Sequence, residues 1–324
     1  MRAAAGEDCS PTFHAFCPEP DPSLPINASE TNSCDGVTVS EGSASADGQT
    51  IDYVVLKGAP STAAKADAEV IYIGLHGTTF NGPTFANRHR MAELAKARGI
   101  TVVAPSASGL TRSWGYSLLP PLTTADSRVA LIDALITAVA GEAPAKAAGN
   151  TKIILGGISG GGIMALRYAC LRPEVVSGAV VVAAELTPSD LAACTTGGFA
   201  SVQVHGTSDP IALYDSVPGY AAGAVQTFET LLGNNGCDSG KLMSATLPVP
   251  AADEPFITGL SMRFTTECAS GKGSALVTVE GGGHNWPGYD RASDFPPGAN
   301  LYGAITNGFD ATLQGFDLVR SLDK

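Results

Sequence analysis

The chain of 324 residues carries 19 Lys and Arg against 31 Asp and Glu, a formal net charge of −12 at pH 7. This length suits one large domain or two small ones, and a hydrophobic content of 44% excludes global disorder. An acidic chain without a basic cluster excludes electrostatic binding of nucleic acid, and no apolar run reaches the ~18 residues of a membrane-spanning helix. We therefore expect neutral or apolar partners.

Residues 1–35 are rich in Pro, Ser and Asp, and we predict an irregular N-terminal arm pinned by disulfides, followed by one catalytic domain over residues 36–324. The seven cysteines form no C-x-x-C pair and have no histidine at zinc-ligand spacing, so no metal site is predicted. Scattered cysteines favour disulfides and an oxidising compartment. The pairing of Cys9, Cys17 and Cys34 stays open, and the odd total leaves at least one thiol free or paired outside the chain. Residues 1–6 contain no apolar signal-peptide segment, so we expect a mature secreted protein, with a cytosolic protein that carries seven reduced thiols as the alternative.

Residues 36–40 and 51–56 are β-branched stretches around a Gly/Asp-rich turn, which predicts a hairpin. Strands and helices then alternate. The predicted strands are 70–75, 100–104, 152–155, 175–183, 201–204 and 275–279, and the predicted helices are 87–97, 125–140, 160–169, 225–232 and 309–322. Apolar strands alternating with helices predict an α/β fold with a mostly parallel sheet covered on both faces.

The strongest chemical signal is Gly157-Ile158-Ser159-Gly160-Gly161, which falls between a predicted strand and a predicted helix. A G-x-S-x-G pattern in this position is typical of a nucleophile elbow, in which glycines allow the sharp turn that exposes the serine. A glycine-rich loop with an incidental serine is the alternative. The placement favours a nucleophilic role for Ser159.

A nucleophilic serine needs a base, and the base needs a carboxylate that holds its tautomer. Of the five histidines, only His284 follows the last predicted apolar strand, where three preceding glycines give the backbone freedom. The carboxylate is expected after the preceding strand, which makes Asp209 the first choice and Asp215 the second. Asp190 precedes that strand and Glu280 still continues the last one, so both are less suitable.

Acyl transfer also needs hydrogen-bond donors for the oxyanion. His76-Gly77-Thr78 follow the first buried strand and resemble loops that supply a backbone N–H, and Gly160 opens a predicted helix whose dipole favours negative charge. We expect the N–H groups of Thr78 and Gly160 to form the oxyanion hole. His76 and His205 are interpreted as structural hydrogen-bonding residues.

Four motifs occur in order: Leu75-His76-Gly77, Gly157-x-Ser159-x-Gly161, His205-Gly206-Thr207-x-Asp209-Pro210 and Gly281-Gly282-Gly283-His284-x-Trp286-Pro287-Gly288. From about residue 50 to the C-terminus the chain resembles the secreted poly(3-hydroxybutyrate) depolymerase-like esterases, relatives of feruloyl and acetylxylan esterases in the α/β-hydrolase superfamily. The resemblance implies the α/β-hydrolase fold and a catalytic triad of Ser159, Asp209 and His284. It also implies a disulfide between Cys237 and Cys268, and suggests another between Cys170 and Cys194.

Two segments depart from the family pattern. Many members have a Cys or Gly after the His-Gly pair and a Gln soon after, where this chain has Thr78, Thr79 and Asn81. Many also have a Trp-Asn-Trp-like segment after the third strand, where this chain has residues 113–116, Ser-Trp-Gly-Tyr. Both segments border the acyl pocket, so the departures bear on the choice of substrate.

Four aromatic side chains are candidates for an acyl-binding wall: Phe80, Trp114, Tyr116 and Trp286. Trp286 is placed at the rim of the cleft because it follows His284 by two residues. Ordinary core packing is the alternative, since aromatic residues fill cores more often than they line sites.

These features together predict a secreted, monomeric serine ester hydrolase that forms an acyl-enzyme without a cofactor. The leading substrate class is hydroxyalkanoate polyester or its oligomers. Feruloyl or acetylxylan esters and aromatic polyesters are alternatives, followed by peptides. A non-catalytic hydrolase-fold binding protein is disfavoured, because it would be expected to have lost a triad residue.

Overall fold

The structure, a computed structural model, describes residues 31, 35–59, 69–115, 127–219, 221–251, 253, 256–288 and 302–324. In chain order its elements are β1 (Val37–Ala46), β2 (Gln49–Gly58), β3 (Glu69–Leu75), α1 (Gly82–Arg88), α2 (Met91–Arg98), β4 (Thr101–Ser106), α3 (Ser127–Ala140), α4 (Pro144–Ala147), β5 (Thr151–Ile158), α5 (Gly160–Leu171), β6 (Val176–Val182), α6 (Pro188–Ala193), β7 (Ala200–Gly206), α7 (Gly223–Asn234), β8 (Met243–Thr246), β9 (Gly259–Thr265), β10 (Ser274–Glu280) and α8 (Leu313–Ser321). Almost all of the expected N-terminal arm, with Cys9, Cys17 and Cys34, lies outside the described residues, and so does Tyr116.

One sheet runs through the described residues in the order β1-β2-β4-β3-β5-β6-β7-β10-β9-β8. The six central strands of this order, β4-β3-β5-β6-β7-β10, are parallel to one another. The two outer strands on each side, β1 and β2 on one and β9 and β8 on the other, join the sheet by antiparallel pairing. The predicted mostly parallel sheet is therefore confirmed. Its parallel strands all end on one side, which is where open α/β sheets bind their ligands.

The predicted hairpin is present, and its strands are longer than expected. β1 and β2 pair in register from Val37 opposite Gly58 to Ala46 opposite Gln49. The turn is reduced to Asp47 and Gly48, both with positive φ (51° and 72°). This is the backbone of a type I′ turn, whose twist matches that of the flanking strands.

The single helix predicted over residues 87–97 is wrong, because the chain forms α1 and α2 with a break between them. The helical run begins earlier than predicted, where the Asn81 side chain accepts a hydrogen bond from the Thr84 amide (2.8 Å). Arg90 then adopts a left-handed conformation (φ 54°) that ends the run. Its guanidinium binds Glu93 and Asp310 (3.1 Å to the latter), so a contact distant in sequence fixes the break.

Four further elements were not predicted: α4, α6, β8 and β9. The two strands extend the sheet at one side, and β8 is short and mostly exposed. The edge strand β8 carries little apolar signal, whereas β9 has buried apolar residues at alternate positions, Leu260, Met262 and Phe264, which is the pattern of a strand. The closing helix is also shorter than predicted, because Asp310 accepts hydrogen bonds from the Thr312 and Leu313 amides (2.8 and 3.0 Å) and holds that segment as a turn.

The two faces of the sheet bury separate hydrophobic clusters. Along β6, Val180 and Val182 belong to one cluster while Ala179 and Val181 belong to the other, because successive side chains of a strand alternate between faces. α1, α2 and α8 cover the first face, and α3 and α5 cover the second. Within the described ranges, no helix is both long and apolar enough to cross a membrane.

Candidate active site

Ser159 lies in the sharp turn that joins β5 to α5. Its backbone has φ 56° and ψ −129°, a conformation that non-glycine residues adopt only under strain. Its amide donates to the Val182 carbonyl of the neighbouring strand (3.0 Å), and the residue is half-buried. The strand, turn and helix predicted around Ser159 are therefore all present, and they present the serine at the carboxyl end of the sheet.

The glycines around Ser159 are required by close backbone contacts. A Cβ on Gly157 would lie 2.5 Å from the carbonyl of Gly161, and one on Gly161 would lie 2.2 Å from the Leu75 carbonyl oxygen. Both distances are far below normal contact, and the opposing atoms are backbone. The G-x-S-x-G pattern is thus the sequence that this packing permits.

Asp209 and His284 are in direct contact in the loops after β7 and β10. The Nδ1 of His284 donates to Oδ2 of Asp209 at 2.8 Å, and both side chains are buried. The other carboxylate oxygen, Oδ1, accepts from the amides of Ile211 and Ala212, each at 2.8 Å. Asp209 is therefore held on both oxygens, and Nε2 of His284 is the ring nitrogen that can accept a proton.

The glycines before His284 let its loop pack closely against β7. A Cβ on Gly206 would lie 2.2 Å from the Gly282 carbonyl oxygen. The loop is also pinned from the other side, where the His284 amide donates to the Tyr302 carbonyl (2.5 Å). The Asn285 side chain donates to three successive carbonyls over residues 302–304 at 3.0–3.1 Å.

The rival carboxylates lie elsewhere. Asp215 and Glu280 are exposed. Asp190 is buried, but it pairs with the Arg167 guanidinium at 3.2 Å and caps α6. The residue that contacts His284 is thus the first choice made from the sequence.

His76 organises the loop after β3. Its Nε2 accepts from the Ala107 amide (2.9 Å), which leaves the proton on Nδ1, where it donates to the Gly77 carbonyl (2.7 Å). Burial lowers the pKa of His76 to about 4, so this imidazole is neutral. His205 plays a similar part, with Nε2 2.8 Å from the Ala212 carbonyl oxygen.

The amides expected to form the oxyanion hole are those of Thr78 and Gly160. Neither donates a hydrogen bond to any group in the described residues. The loop that carries Thr78 is close to Ser159, since a Cβ on Gly77 would lie 3.6 Å from Ser159 Cβ. Thr79 has a positive φ of 75°, and its amide donates to the Thr111 carbonyl (3.0 Å), which ties this loop to the one after β4.

The two tryptophans are core residues, so the rim position expected of Trp286 is wrong, and Trp114 follows the alternative of core packing. Trp286 is 2% exposed, donates from Nε1 to Thr312 Oγ1 (2.9 Å) and packs against Phe85 and His89. Trp114 is 1% exposed and donates to the His76 carbonyl (2.8 Å). Each ring is covered by contacts with segments distant in sequence, which position relative to His284 could not reveal.

Phe80 is the one remaining aromatic candidate in the described part of the chain. It is half-buried and lies beneath the Arg88 guanidinium, 5.3 Å from the ring centroid. The large apolar side chains exposed on loops at this end of the sheet are the aliphatic Leu110, Ile211 and Leu213 and the aromatic Phe256, whose backbone lies against Gly281.

Glu185 was not among the residues selected from the sequence. It follows β6, is 8% exposed, and its Oε2 has no hydrogen-bond partner in the described structure. Burial and the charge of Asp209 raise its pKa to about 7. The sequence did contain a signal, because a carboxylate two residues beyond a predicted strand falls at the same end of the sheet as Asp209.

Two disulfides join Cys170 to Cys194 and Cys237 to Cys268, the two pairs that the resemblance implies. The first links α5, which follows Ser159, to the end of α6. Among the described residues, no group of three or more His, Cys, Asp or Glu could hold a metal ion.

The sequence profile of the Alpha/beta hydrolase family matches residues 73–295, more than half of the chain. NocK of Nocardia uniformis subsp. tsuyamanensis, a protein named as an esterase, is 25% identical over 253 residues, which cover 72% of this chain and 70% of NocK. An acetyl xylan esterase from Aspergillus awamori has a similar structure, with a TM-score of 0.50 and 16% identity over 76% of this chain and 94% of that one. A feruloyl esterase module from Clostridium thermocellum, complexed with sinapinate, gives a TM-score of 0.49 and 12% identity over 80% of this chain and 86% of that one. At such identities, the likeness to the acetyl xylan esterase shows a shared fold.

Proposed function

Because the chain belongs to the Alpha/beta hydrolase family, we propose that it is a serine ester hydrolase that works through an acyl-enzyme. The observation that carries the proposal is the strained turn at Ser159, at the same end of the sheet as the 2.8 Å contact between His284 and Asp209. A relative named as an esterase supports ester chemistry over other reactions of the fold.

In the proposed reaction, Ser159 Oγ attacks the ester carbonyl carbon while Nε2 of His284 takes its proton. Asp209 fixes the tautomer through Nδ1 and stabilises the imidazolium that forms. The imidazolium then protonates the departing alcohol oxygen, which leaves the acyl group on Ser159. A water molecule repeats the sequence and releases the acid.

The amides of Thr78 and Gly160 are the proposed donors to the oxyanion. Gly160 is the first residue of α5, where the helix dipole adds favourable potential for negative charge. Losing one donor of this kind typically costs about 100- to 1000-fold in rate. The tie between Thr79 and Thr111 and the neutral His76 imidazole support this assignment by holding the loop rigid.

For the substrate, we propose aliphatic hydroxyalkanoate oligoesters. The exposed apolar side chains Leu110, Ile211 and Leu213 offer aliphatic surface next to loops of the site, while the two tryptophans that would have favoured flat aromatic acyl groups are buried. Two disulfides in the described chain support a further proposal, that the protein works in an oxidising, extracellular compartment.

Two measurements test this function. A fluorophosphonate should label the wild-type protein stoichiometrically and should not label Ser159→Ala, with labelling mapped to the peptide that contains Ser159. A turnover panel should then compare a hydroxybutyrate oligomer, methyl ferulate, acetylated xylan and an aromatic polyester. Absence of labelling together with absence of turnover would remove the proposal, and faster turnover of methyl ferulate would replace only the substrate class.

A further inference from the structure

The segment between β6 and α6 carries a buried carboxyl group to the catalytic end of the sheet. It begins at Ala183, which has a positive φ of 48° and donates its amide to the Val204 carbonyl of β7 (3.0 Å). Further on, the Leu186 amide donates to Thr227 Oγ1 of α7 (3.0 Å). Glu185 lies between these two attachments, to β7 and to α7, and is buried.

The far end of this segment is held firmly. Thr187 and Asp190 form a reciprocal capping box at the start of α6, and Asp190 also pairs with Arg167 of α5. The disulfide between Cys170 and Cys194 joins the same two helices. Glu185 precedes this anchored end and is 8% exposed, and the charge of Asp209 acts on its carboxyl group.

The two neighbouring carboxyl groups differ in how well a negative charge is stabilised on each. Asp209 accepts three hydrogen bonds, two from backbone amides and one from His284. Glu185 has an oxygen without any donor in the described structure. Two carboxylates that share a buried site do not both ionise readily, so the charge belongs on Asp209 and the proton on Glu185.

The other ionisable groups around Glu185 do not cancel this effect. Asp190 on α6 is neutralised by Arg167 of α5, and Glu229 on α7 is exposed to solvent. On β7, Nε2 of His205 lies 3.6 Å from Asp209 Oδ2, and burial lowers the pKa of His205, which favours its neutral ring. The charged partners left for Glu185 are Asp209 and, through it, His284.

We propose that Glu185 is a positioning residue that acts through Asp209 and sets the pH range in which His284 serves as the base. This inference rests on the proposed function of the same site. When Glu185 loses its proton, a second negative charge stands next to the Asp209–His284 pair and favours the imidazolium. A higher pH is then needed before His284 loses its proton and can act as a base. Activity therefore rises with pH in two coupled steps, one for each ionising group, instead of one.

The test is the pH dependence of kcat/KM for p-nitrophenyl acetate from about pH 5 to 9, which reports on the ionisations of the free enzyme. Glu185→Gln should move the midpoint of the rise to lower pH by about half a unit or more and narrow it to a single step. Glu185→Asp, which keeps a carboxyl group, should retain the later and broader rise. Glu229→Gln removes an exposed charge and should leave the profile unchanged.

An unchanged midpoint in folded Glu185→Gln would overturn the inference, as would equal shifts in Glu185→Gln and Glu229→Gln. If Glu185→Gln does not fold, ¹³C NMR of the wild-type protein labelled in its glutamate carboxyl groups decides instead. One carboxyl resonance should titrate close to neutral pH, and titration of every resonance near the ordinary value of ~4.3 would contradict the inference. Failure of the proposed function looks different, because wild type would then show neither turnover nor labelling of Ser159.

Discussion

The two ends of the parallel strands are built differently. At the carboxyl end, the loops after β3, β4, β5 and β6 contain four of the six non-glycine residues with positive φ in the described ranges: Thr79, Arg112, Ser159 and Ala183. This end also holds buried polar atoms without partners, among them Thr78 Oγ1, Glu185 Oε2 and His205 Nδ1. Backbone strain lowers stability, and in the described residues it concentrates where we place the chemistry.

At the amino end, polar groups are paired and hold the fold together. Asp323, just after α8, binds both Lys152 at the start of β5 and Lys272 just before β10. Although burial opposes it, hydrogen bonds from these two lysines lower the pKa of Asp323. The contrast indicates that substitutions of the polar site residues at the carboxyl end should change activity, while those at the amino end should change stability alone.

The largest expected effect is that of Asp209→Asn. An amide cannot hold the required tautomer of His284, and replacements of this kind cost about 10⁴-fold in rate. Steady-state kinetics on a soluble ester measures the loss. Asp215→Asn, an exposed aspartate six residues along the chain, is the matched control and should stay close to wild type. Equal activity in the two variants would remove Asp209 from the mechanism.

Trp286→Ala tests whether a residue two positions from His284 belongs to the site or to the core. Removing a buried tryptophan should lower the free energy of unfolding by about 3–5 kcal/mol. The ratio of kcat/KM for a bulky ester to that for p-nitrophenyl acetate should not change, because the ring is only 2% exposed. Phe256→Ala, at a 69% exposed position, is the stability control. A loss of kcat/KM on the bulky ester alone would show that Trp286 contacts the acyl group at the rim of the cleft.

Glu185→Gln should stabilise the protein at alkaline pH. Burial raises the pKa of Glu185 in the folded state to about 7, above the value of about 4.3 in the unfolded chain. The contribution of Glu185 to folding stability is therefore fully present below about pH 4.3 and is lost as the pH rises through about 7. Denaturant unfolding should therefore show the variant more stable by roughly 3 kcal/mol at about pH 8 and equal to wild type at about pH 4. A constant difference across this range would show that the residue acts through packing.

The smallest effect is expected at the amino end. Asp323→Asn should lower the free energy of unfolding at neutral pH by about 1–2 kcal/mol through the loss of charge-assisted hydrogen bonds. Because the pKa of Asp323 is lowered by folding, this stabilisation is present above its unfolded value of ~3.9 and disappears as pH falls through the lower folded value. The kcat/KM should not change. A large loss of activity would contradict the inference that the amino end contributes to stability alone.

Features of the site that depend on short stretches of sequence were predicted correctly. The strand, glycine turn and helix around Ser159 occupy adjacent residues, and the glycines are required by backbone contacts of that same turn. The order of Asp209 and His284 along the chain followed from the order of the strands. His76 was recognised as a structural residue, since it directly follows a buried strand.

Features that depend on contacts between distant segments were missed. The break at Arg90 depends on Asp310, and the burial of Trp286 depends on His89 and Thr312. None of these partners lies within the periodicity of a single element. Glu185 was overlooked for the same reason, because its importance comes from a neighbour in a different loop.

The sequence by itself therefore determined the α/β alternation, the strained turn at Ser159 and the histidine and aspartate that meet after the last parallel strands. Each of these depends on local patterns of apolar residues and glycines, which affect the backbone conformation of only a few neighbouring residues. Only the tertiary structure decided which aromatic rings are covered and which carboxyl group lacks a partner. Burial and electrostatic coupling are properties of the packed assembly, since the groups that desolvate Trp286 and Glu185 come from elements far apart in the chain.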